Sequence, residues 1–480
     1  MAALGTSENP LRVAIVGSGP AGFYAAEALL ADAERTVEVD MFDRLPTPFG
    51  LVRAGVAPDH PKIKNVIRRY EKTAASEGFR FFGNVEVGRE ITVAELEQGY
   101  EAILYAYGTA TDRRLGIPGE ELPGSHAATE FVAWYNAHPD FADAEFDLSS
   151  ERAVVVGNGN VAADIARMLA LPRDELETTD TADHAIEALA ESGVREIVVL
   201  GRRGPAQAAF TNPEVCELGE LSDADIVIDP AEVELDPASR EHIDSEAADP
   251  TSRRNVEIFT DFASRQPEGK PKRVVLRFCC SPVEILGDGR VEKIVIARNE
   301  LVREESGAIR ARDTGEREEI ECGLVLRSIG YKGAGLAGVP FDSDRGLIPN
   351  EDGRVVDPDS GRQVPGHYAV GWIKRGPSGV IGTNKKDAQE TVDAILADLE
   401  AGKIPDRTAN RRTRGGEAED VAPIEPLLAE RAPDHVTYAG WQAIDRAEVA
   451  AGEPRGRPRV KFCRIEEMVE AARAADPVAS

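Results

Sequence analysis

One glycine pattern occurs twice in this chain, and it constrains the fold more than any other feature. The first copy is Gly17-Ser18-Gly19-Pro20-Ala21-Gly22, entered from Val13-Ala14-Ile15-Val16. The second is Gly157-Asn158-Gly159-Asn160-Val161-Ala162, entered from Ala153-Val154-Val155-Val156. Each short apolar run reads as a buried parallel strand, and each loop opens an Ala-rich stretch with helical character (Phe23–Ala31, Ala163–Ala170). In that context the first glycine makes the tight turn and the second lets backbone approach a pyrophosphate. The third small position lets helix pack on strand. The helix N-terminus then offers free N–H groups and a positive dipole end to phosphate. Two such loops imply two bound dinucleotides, close enough to exchange electrons, and so a flavoprotein reduced by a nicotinamide.

The rest of the chain narrows the chemistry. Its 480 residues predict two or three domains, and 42% hydrophobic content is ample for packed cores. No apolar run approaches the roughly 20 residues of a membrane helix. Met1–Pro10 has no basic stretch ahead of an apolar run, and the next apolar run enters the first loop. The expectation is a soluble, cytoplasmic protein without a cleaved signal. A net charge of −29 disfavours nucleic acid or an anionic membrane as partner. Cys216, Cys279, Cys280, Cys322 and Cys463 form no CxxC and no zinc or iron–sulfur spacing. An internal redox disulfide and a protein-bound metal are therefore not expected, and electrons leaving a flavin must go elsewhere.

The strand after each loop distinguishes the two nucleotides. The strand Val37–Phe42 ends in Asp43, where an acid commonly takes the adenosine ribose hydroxyls. The strand Glu196–Leu200 ends instead in Gly201-Arg202-Arg203-Gly204. An acid there would repel a 2′-phosphate, whereas arginines bind it with forked, charge-assisted bonds, so the second nucleotide is expected to be NADP(H). Between loop and arginines lies a polar helical insertion, Arg173–Ser192. Pro46–Arg53 reads as an irregular loop over a ligand, and Asp223–Pro250 as an acidic surface excursion. Val274–Phe278, Val283–Leu286 and Val291–Arg298 suggest a small antiparallel sheet. Gly323–Ile329 is expected to return the chain to the first domain, with a further strand at His367–Trp372. A glycine turn, Gly376–Gly382, then opens a helix at Asn384–Glu400, and an Arg- and Pro-rich tail beyond Ala401 becomes helical near Ile465–Ala474. The domain reading is 1–112, 113–333 and 334–480, the first and last forming one discontinuous domain.

Three separated blocks resemble the adrenodoxin reductase family: Pro48–Pro61, Gly201–Gln207 with Phe210-Thr211, and Gly371–Pro377. Thr383–Gln389 resembles the bacterial NADPH–ferredoxin reductases within it. The resemblance runs nearly full length and implies an α/β protein of two Rossmann-like domains. FAD would lie in the first, discontinuous domain and NADPH in the second, with hydride passing to the flavin and single electrons to a ferredoxin-type iron–sulfur protein. For FAD it implies Gly17, Gly19, Pro20, Ala21 and Gly22 at the pyrophosphate and Asp43 at the ribose. Leu51 and Val87 would line the cofactor, Trp372 would pack near the isoalloxazine, and Gly379, Val380 and Ile381 would cap it. For NADPH it implies Gly157, Asn158, Gly159, Asn160 and Val161 at the pyrophosphate, Arg202 and Arg203 at the 2′-phosphate, and Glu214 with Gly379 near the nicotinamide. His60 and Asp164 match positions near the flavin and are candidates for proton handling. Where several relatives carry a docking arginine, this chain has Cys216. Arg53, Arg68, Arg69, Lys374, Arg375, Lys385 and Lys386 are the candidate cations for meeting an acidic partner. The competing readings are a flavoprotein with a different acceptor and a non-turnover FAD/NADPH redox sensor.

Overall fold

Each glycine loop is entered from a strand whose last four residues are apolar and buried because both its faces are covered. In the computed structural model, which describes residues 3–407 and 424–474, Leu11–Val16 lies between Val37–Phe42 and Ala102–Tyr105, parallel to both. Val13 and Ile15 join one core cluster and Ala14 and Val16 another, as the two-residue period of a strand requires. The chain divides into two units. One holds the residues up to Val56, His60–Thr111 and those from Tyr331 onward; the other holds Ala57–Asp59 and Asp112–Gly330.

The first unit is built on a seven-stranded sheet in the order Asn350–Glu351, Arg354–Val356, Gln363–Ala369, Ala102–Tyr105, Leu11–Val16, Val37–Phe42, Phe79–Phe82. The last five are parallel. The chain leaves Leu11–Val16 to one side and later returns on its other side, so the first loop sits where strand order reverses. Open α/β sheets bind ligands at that crevice. The second unit repeats the plan in six parallel strands: Ser125–Ala127, Leu324–Arg327, Arg152–Val156, Glu196–Leu200, Lys272–Arg277, Ala224–Ile228. Its loop leaves Arg152–Val156 at the same kind of reversal. A three-stranded antiparallel sheet, Cys280–Leu286, Lys293–Arg303 and Ile309–Glu321, is added to this unit. The architecture is the doubly wound α/β class expected, twice over.

Several local expectations need correction. Lys272–Arg277 belongs to the parallel sheet, and the antiparallel sheet gains Ile309–Glu321 in its place. The acidic excursion contains the edge strand Ala224–Ile228 and the helix Pro237–Asp244, and runs into the helix Pro250–Ser264. The polar insertion is two short helices, Arg173–Leu176 and Asp183–Ala190. Within Pro46–Arg53 a helical turn begins at Leu51. Trp372 opens a helix, Trp372–Arg375, because the preceding strand ends at Ala369. The tail carries Ile424–Arg431 and Tyr438–Gly452 as well as Ile465–Arg473; its Arg-rich stretch 408–423 lies outside the described residues.

Candidate functional site

The two loops share one backbone solution. Gly17 N–H donates to Phe42 O at 2.8 Å and Gly157 N–H to Leu200 O at 2.9 Å, so each turn is hung from the next strand. On the other side Ala106 N–H donates to Val16 O and Ser328 N–H to Val156 O, both at 2.8 Å. Gly17 has φ +106° and Gly157 φ +138°. A Cβ on Gly17 would lie 2.6 Å from Tyr107 Cα, and one on Gly157 would lie 2.1 Å from Ser328 O. The second glycines differ completely from the first. A Cβ on Gly19 would meet nothing within 4 Å, and one on Gly159 only Ala209 Cβ at 4.0 Å. That is open space at a helix N-terminus. Helices Pro20–Leu30 and Asn160–Ala170 begin there with glycine N-caps and no side-chain cap, so their first N–H groups face the opening. At the third position a Cβ on Gly22 would press on Gly17 O at 2.3 Å, and Ala162 is fully buried.

Around the first loop, Asp43 ties Ser18. One carboxylate oxygen accepts from Ser18 N–H at 3.0 Å and Ser18 O–H at 2.5 Å, and the other accepts from Leu45 N–H. Burial pushes the Asp43 pKa up against those lowering bonds. A carboxylate has about four lone-pair sites, so one remains for a ribose hydroxyl. Phe49 N–H donates to Ser18 O, and Gly50 lies against Gly19, which brings Leu51 beside the loop. Gly371 lies against Ala21, so Trp372 comes to the same place, its ring centroid 5.3 Å from that of Tyr331. The Trp372 indole N–H is buried without a partner. Leu51 is 40% and Val380 57% exposed. Ile381 packs against the cluster that holds Ala21 and Phe49, and Gly379 sits at φ +79° tight against Thr383. Val87 lies apart, in the core cluster of Val16 and Phe42 on the opposite face of the sheet. These features fit a large, partly apolar dinucleotide: an open glycine, exposed apolar side chains and an orphaned donor. His60 precedes the short helix Pro61–Lys64 and is half-buried.

Around the second loop, Ala209 N–H donates to Asn158 O and Thr211 N–H to the Asn160 side-chain oxygen. Val161 starts the helix turn behind them. Arg202 and Arg203 line a cleft of about 180 Å³ with Ser281, Arg310 and Ala311, and no acid lines it. Burial and the charges of Arg202 and Arg310 lower the Arg203 pKa. Glu214, in the first turn of Asn212–Leu218, has a buried carboxylate oxygen with no partner. This arrangement fits a phosphorylated nucleotide with an amide to offer. Asp164 bonds to Arg167 at 2.8 Å, and Arg167, 2% exposed, also holds Asp59 at 2.9 Å and Glu217 at 3.5 Å.

Sequence reasoning missed Ser18, Phe49, Arg167 and Arg310. Ser18 is a variable position of the loop pattern, and its role shows only once Asp43 is seen to reach it. The docking cations also need correction. Arg53 is buried in a two-point pair with Glu448, and Lys374 is held by Asp387 at 2.8 Å. Arg69 is paired with Glu27, and Arg375 bonds to Asn384. Arg68, Lys385 and Lys386 are exposed.

Known proteins resemble this chain over nearly its whole length. Residues 11–198 match the family model described as pyridine nucleotide-disulphide oxidoreductase. That stretch contains no cysteine, so the likeness concerns nucleotide binding. The NADPH-ferredoxin reductase FprA of Mycobacterium tuberculosis is 51% identical over 465 residues, covering 96% of this chain and 99% of that protein. The mitochondrial NADPH:adrenodoxin oxidoreductase of Arabidopsis thaliana is 40% identical, covering 97% and 96%. The solved structure of Mycobacterium tuberculosis FprA in complex with NADPH superposes with a TM-score of 0.89 at 48% identity, covering 97% of this chain and all of that one.

Proposed function

The chain belongs to the NADPH–ferredoxin reductase family, and from that premise and the geometry of its loops we infer how its residues carry the reaction. It is an oxidoreductase that takes electrons from NADPH through FAD to a ferredoxin-type iron–sulfur protein. FAD, when bound, accepts two electrons together and releases them singly. The observation that carries the residue assignment is the contrast at the strand ends: an acid, Asp43, after the first loop and arginines, Arg202 and Arg203, after the second.

The first unit is the FAD domain. Gly17–Gly22 holds the pyrophosphate with the N–H groups that begin Pro20–Leu30, and Asp43 both fixes the loop through Ser18 and receives the ribose. Leu51, Trp372 and Val380 cover the ring system and exclude water, and the turn Gly379–Ile381, its Val380 N–H held by the Thr383 hydroxyl, caps the polar edge. Val87, whose side chain is buried in the core, lines the cofactor through its backbone. His60 handles a proton at the flavin. The second unit is the NADPH domain: Gly157–Val161 binds pyrophosphate, Arg202 and Arg203 bind the 2′-phosphate, and the orphaned Glu214 oxygen accepts from the nicotinamide amide. Asp164 acts through Arg167 as a positioning residue. The exposed cations Arg68, Lys385 and Lys386 meet the acidic partner. They act locally, because charge is screened over about 8 Å at physiological salt. No helix among the described residues is long and apolar enough to cross a membrane, and we assign the protein to the cytoplasm.

The test is NADPH-dependent cytochrome c reduction by the purified protein, with and without ferredoxin from the same organism. Ferredoxin stimulation that weakens with salt is expected. Flavin bleaching by NADPH without stimulation would move the acceptor elsewhere, and slow bleaching without turnover would favour a sensor. His60→Ala should slow flavin reduction while leaving the NADPH Kd nearly unchanged; an unchanged rate removes the proton role.

A further inference from the structure

We propose that Arg310, on the antiparallel hairpin added to the second unit, is a third arginine for the 2′-phosphate of NADPH and sets the enzyme's preference over NADH together with Arg202 and Arg203. The inference rests on the reading that the 2′-phosphate lies at the Arg202–Arg203 turn.

The turn and the hairpin are stitched together. Cys280 N–H donates to Gly201 O at 2.9 Å and Cys279 N–H to Arg203 O at 3.1 Å. The Asn299 amide donates to Arg202 O at 2.9 Å and to the Ser281 hydroxyl at 2.7 Å. A Cβ on Gly204 would lie 3.2 Å from Leu301, so the strand Lys293–Arg303 packs directly on the turn. Arg310 stands opposite Val302 in the paired strand Ile309–Glu321. That pairing carries it to the cleft of about 180 Å³ that Arg202, Arg203, Ser281 and Ala311 also line.

Three guanidinium groups converge there, and no carboxylate lines the cleft. Burial lowers the Arg203 pKa most, and the charges of Arg202 and Arg310 lower it further, so Arg203 feels both neighbours. Like charges gathered this way repel unless an anion joins them, and a dianionic phosphate with three terminal oxygens satisfies forked donors best. Arg310 has one weak competitor, Glu304 at 3.4 Å, with side chains 62% and 48% exposed. Exposed pairs of this kind are readily exchanged for a stronger anion. The Ser281 hydroxyl accepts from Asn299, which leaves its own proton for a phosphate oxygen. Neighbouring glycine-loop chemistry reads pyrophosphate, which NADH and NADPH share; this cleft reads the group they do not.

The experiment is calorimetric titration of the FAD-loaded enzyme with adenosine 2′,5′-bisphosphate and, in parallel, with adenosine 5′-monophosphate. Arg310→Gln should raise the Kd of the bisphosphate about five- to tenfold and leave that of the monophosphate within twofold. The salt dependence of bisphosphate binding should also become shallower. Arg203→Gln is the control for the underlying reading. If Arg203→Gln weakens the bisphosphate and Arg310→Gln does not, Arg310 is not part of the site and the proposal falls while the turn keeps its role. If neither variant matters, the 2′-phosphate does not lie at this turn at all. If Arg310→Gln weakens both ligands equally, Arg310 acts through hairpin placement and the phosphate contact is overturned.

Discussion

The two loops are nearly identical in backbone and opposite in everything attached to it. Gly17 and Gly157 hang from the neighbouring strand by equivalent bonds and turn against equivalent backbone, and Gly19 and Gly159 open onto space. The first loop, however, is fastened by a half-buried acid, Asp43, and overlaid by Phe49 and Gly50, while the second is fastened by Ala209 and Thr211 and looks towards arginines. Backbone shape thus specifies the part common to all dinucleotides. The end of the next strand specifies which dinucleotide, because only there do the ligands differ in charge.

The hardest way to break this comparison is to fill the turns. Gly17→Ala and Gly157→Ala each place a side chain at positive φ and inside 3 Å of backbone. Strain of this kind costs about 1–3 kcal/mol before any collision is counted. Gly17→Ala should purify without yellow colour, read by flavin absorbance. Gly157→Ala should stay yellow but bleach with NADPH more than a hundredfold more slowly at limiting nucleotide. Loss of flavin from both would show that the sites are not independent.

Next comes an asymmetry between the units. The segment over the first loop is braced by Glu448, fully buried, which accepts from Arg53 twice and from Arg459 and Phe462 N–H. Burial alone would raise its pKa, but Arg53 and Arg459 outweigh that and hold it below the usual glutamate value. Glu448→Gln leaves the buried Arg53 without a counter-charge, while Arg459 keeps its pair with Asp445 at 2.6 Å, at a cost of about 3–5 kcal/mol. A depressed folded pKa means that this stabilisation is present above the unfolded value of about 4.3 and is lost as pH falls through the folded one. Thermal unfolding should therefore show a large wild-type-to-variant gap at pH 7 that narrows only below about pH 4.3. A gap independent of pH would assign the loss to packing instead.

Charge at the second loop is the next step down. Arg203→Ala removes charge-assisted bonds worth roughly 1.5–3 kcal/mol, so kcat/KM for NADPH should fall about ten- to a hundredfold while that for NADH stays level. Equal losses for both nucleotides would remove the specificity role.

Much of the fold and site is legible in the sequence because it is local. Apolar runs, glycine spacing and the acid or arginine at a strand end lie within a few tens of residues of each other. The features that escape reading depend on distant partners or on faces that carry no pattern. Arg53 reads as a surface cation, yet its fate is decided by Glu448, 395 positions away. Ala224–Ile228 hides among acids because Asp225 is spent on the backbone N–H groups of Glu268, Gly269 and Lys270. Ile309–Glu321 has almost no apolar face, being largely exposed, so alternation does not reveal it, and Arg310 stays hidden with it. Lys272–Arg277 reads as a strand, but its neighbours in the sheet are not deducible from its own residues.

The smallest effect sharpens the comparison most finely. Leu51, Ile63, Val380 and Val449 are the exposed large hydrophobics among the described residues, and all four belong to the first unit. The second unit shows its loop no such side chain; it offers arginines. An apolar ring system and a charged phosphate ask for those two surfaces. Leu51 is already 40% exposed, so Leu51→Ala removes little burial and should leave the melting temperature of flavin-free protein nearly unchanged. If Leu51 covers the flavin, the same substitution lets water reach the ring. The flavin absorbance band should then shift, FAD should dissociate about two- to fivefold faster, corresponding to under ~1 kcal/mol, and the NADPH Kd should not move. An unaltered flavin spectrum and dissociation rate would mean that Leu51 faces solvent in the loaded enzyme, and that the apolar character of this surface serves some contact other than the cofactor.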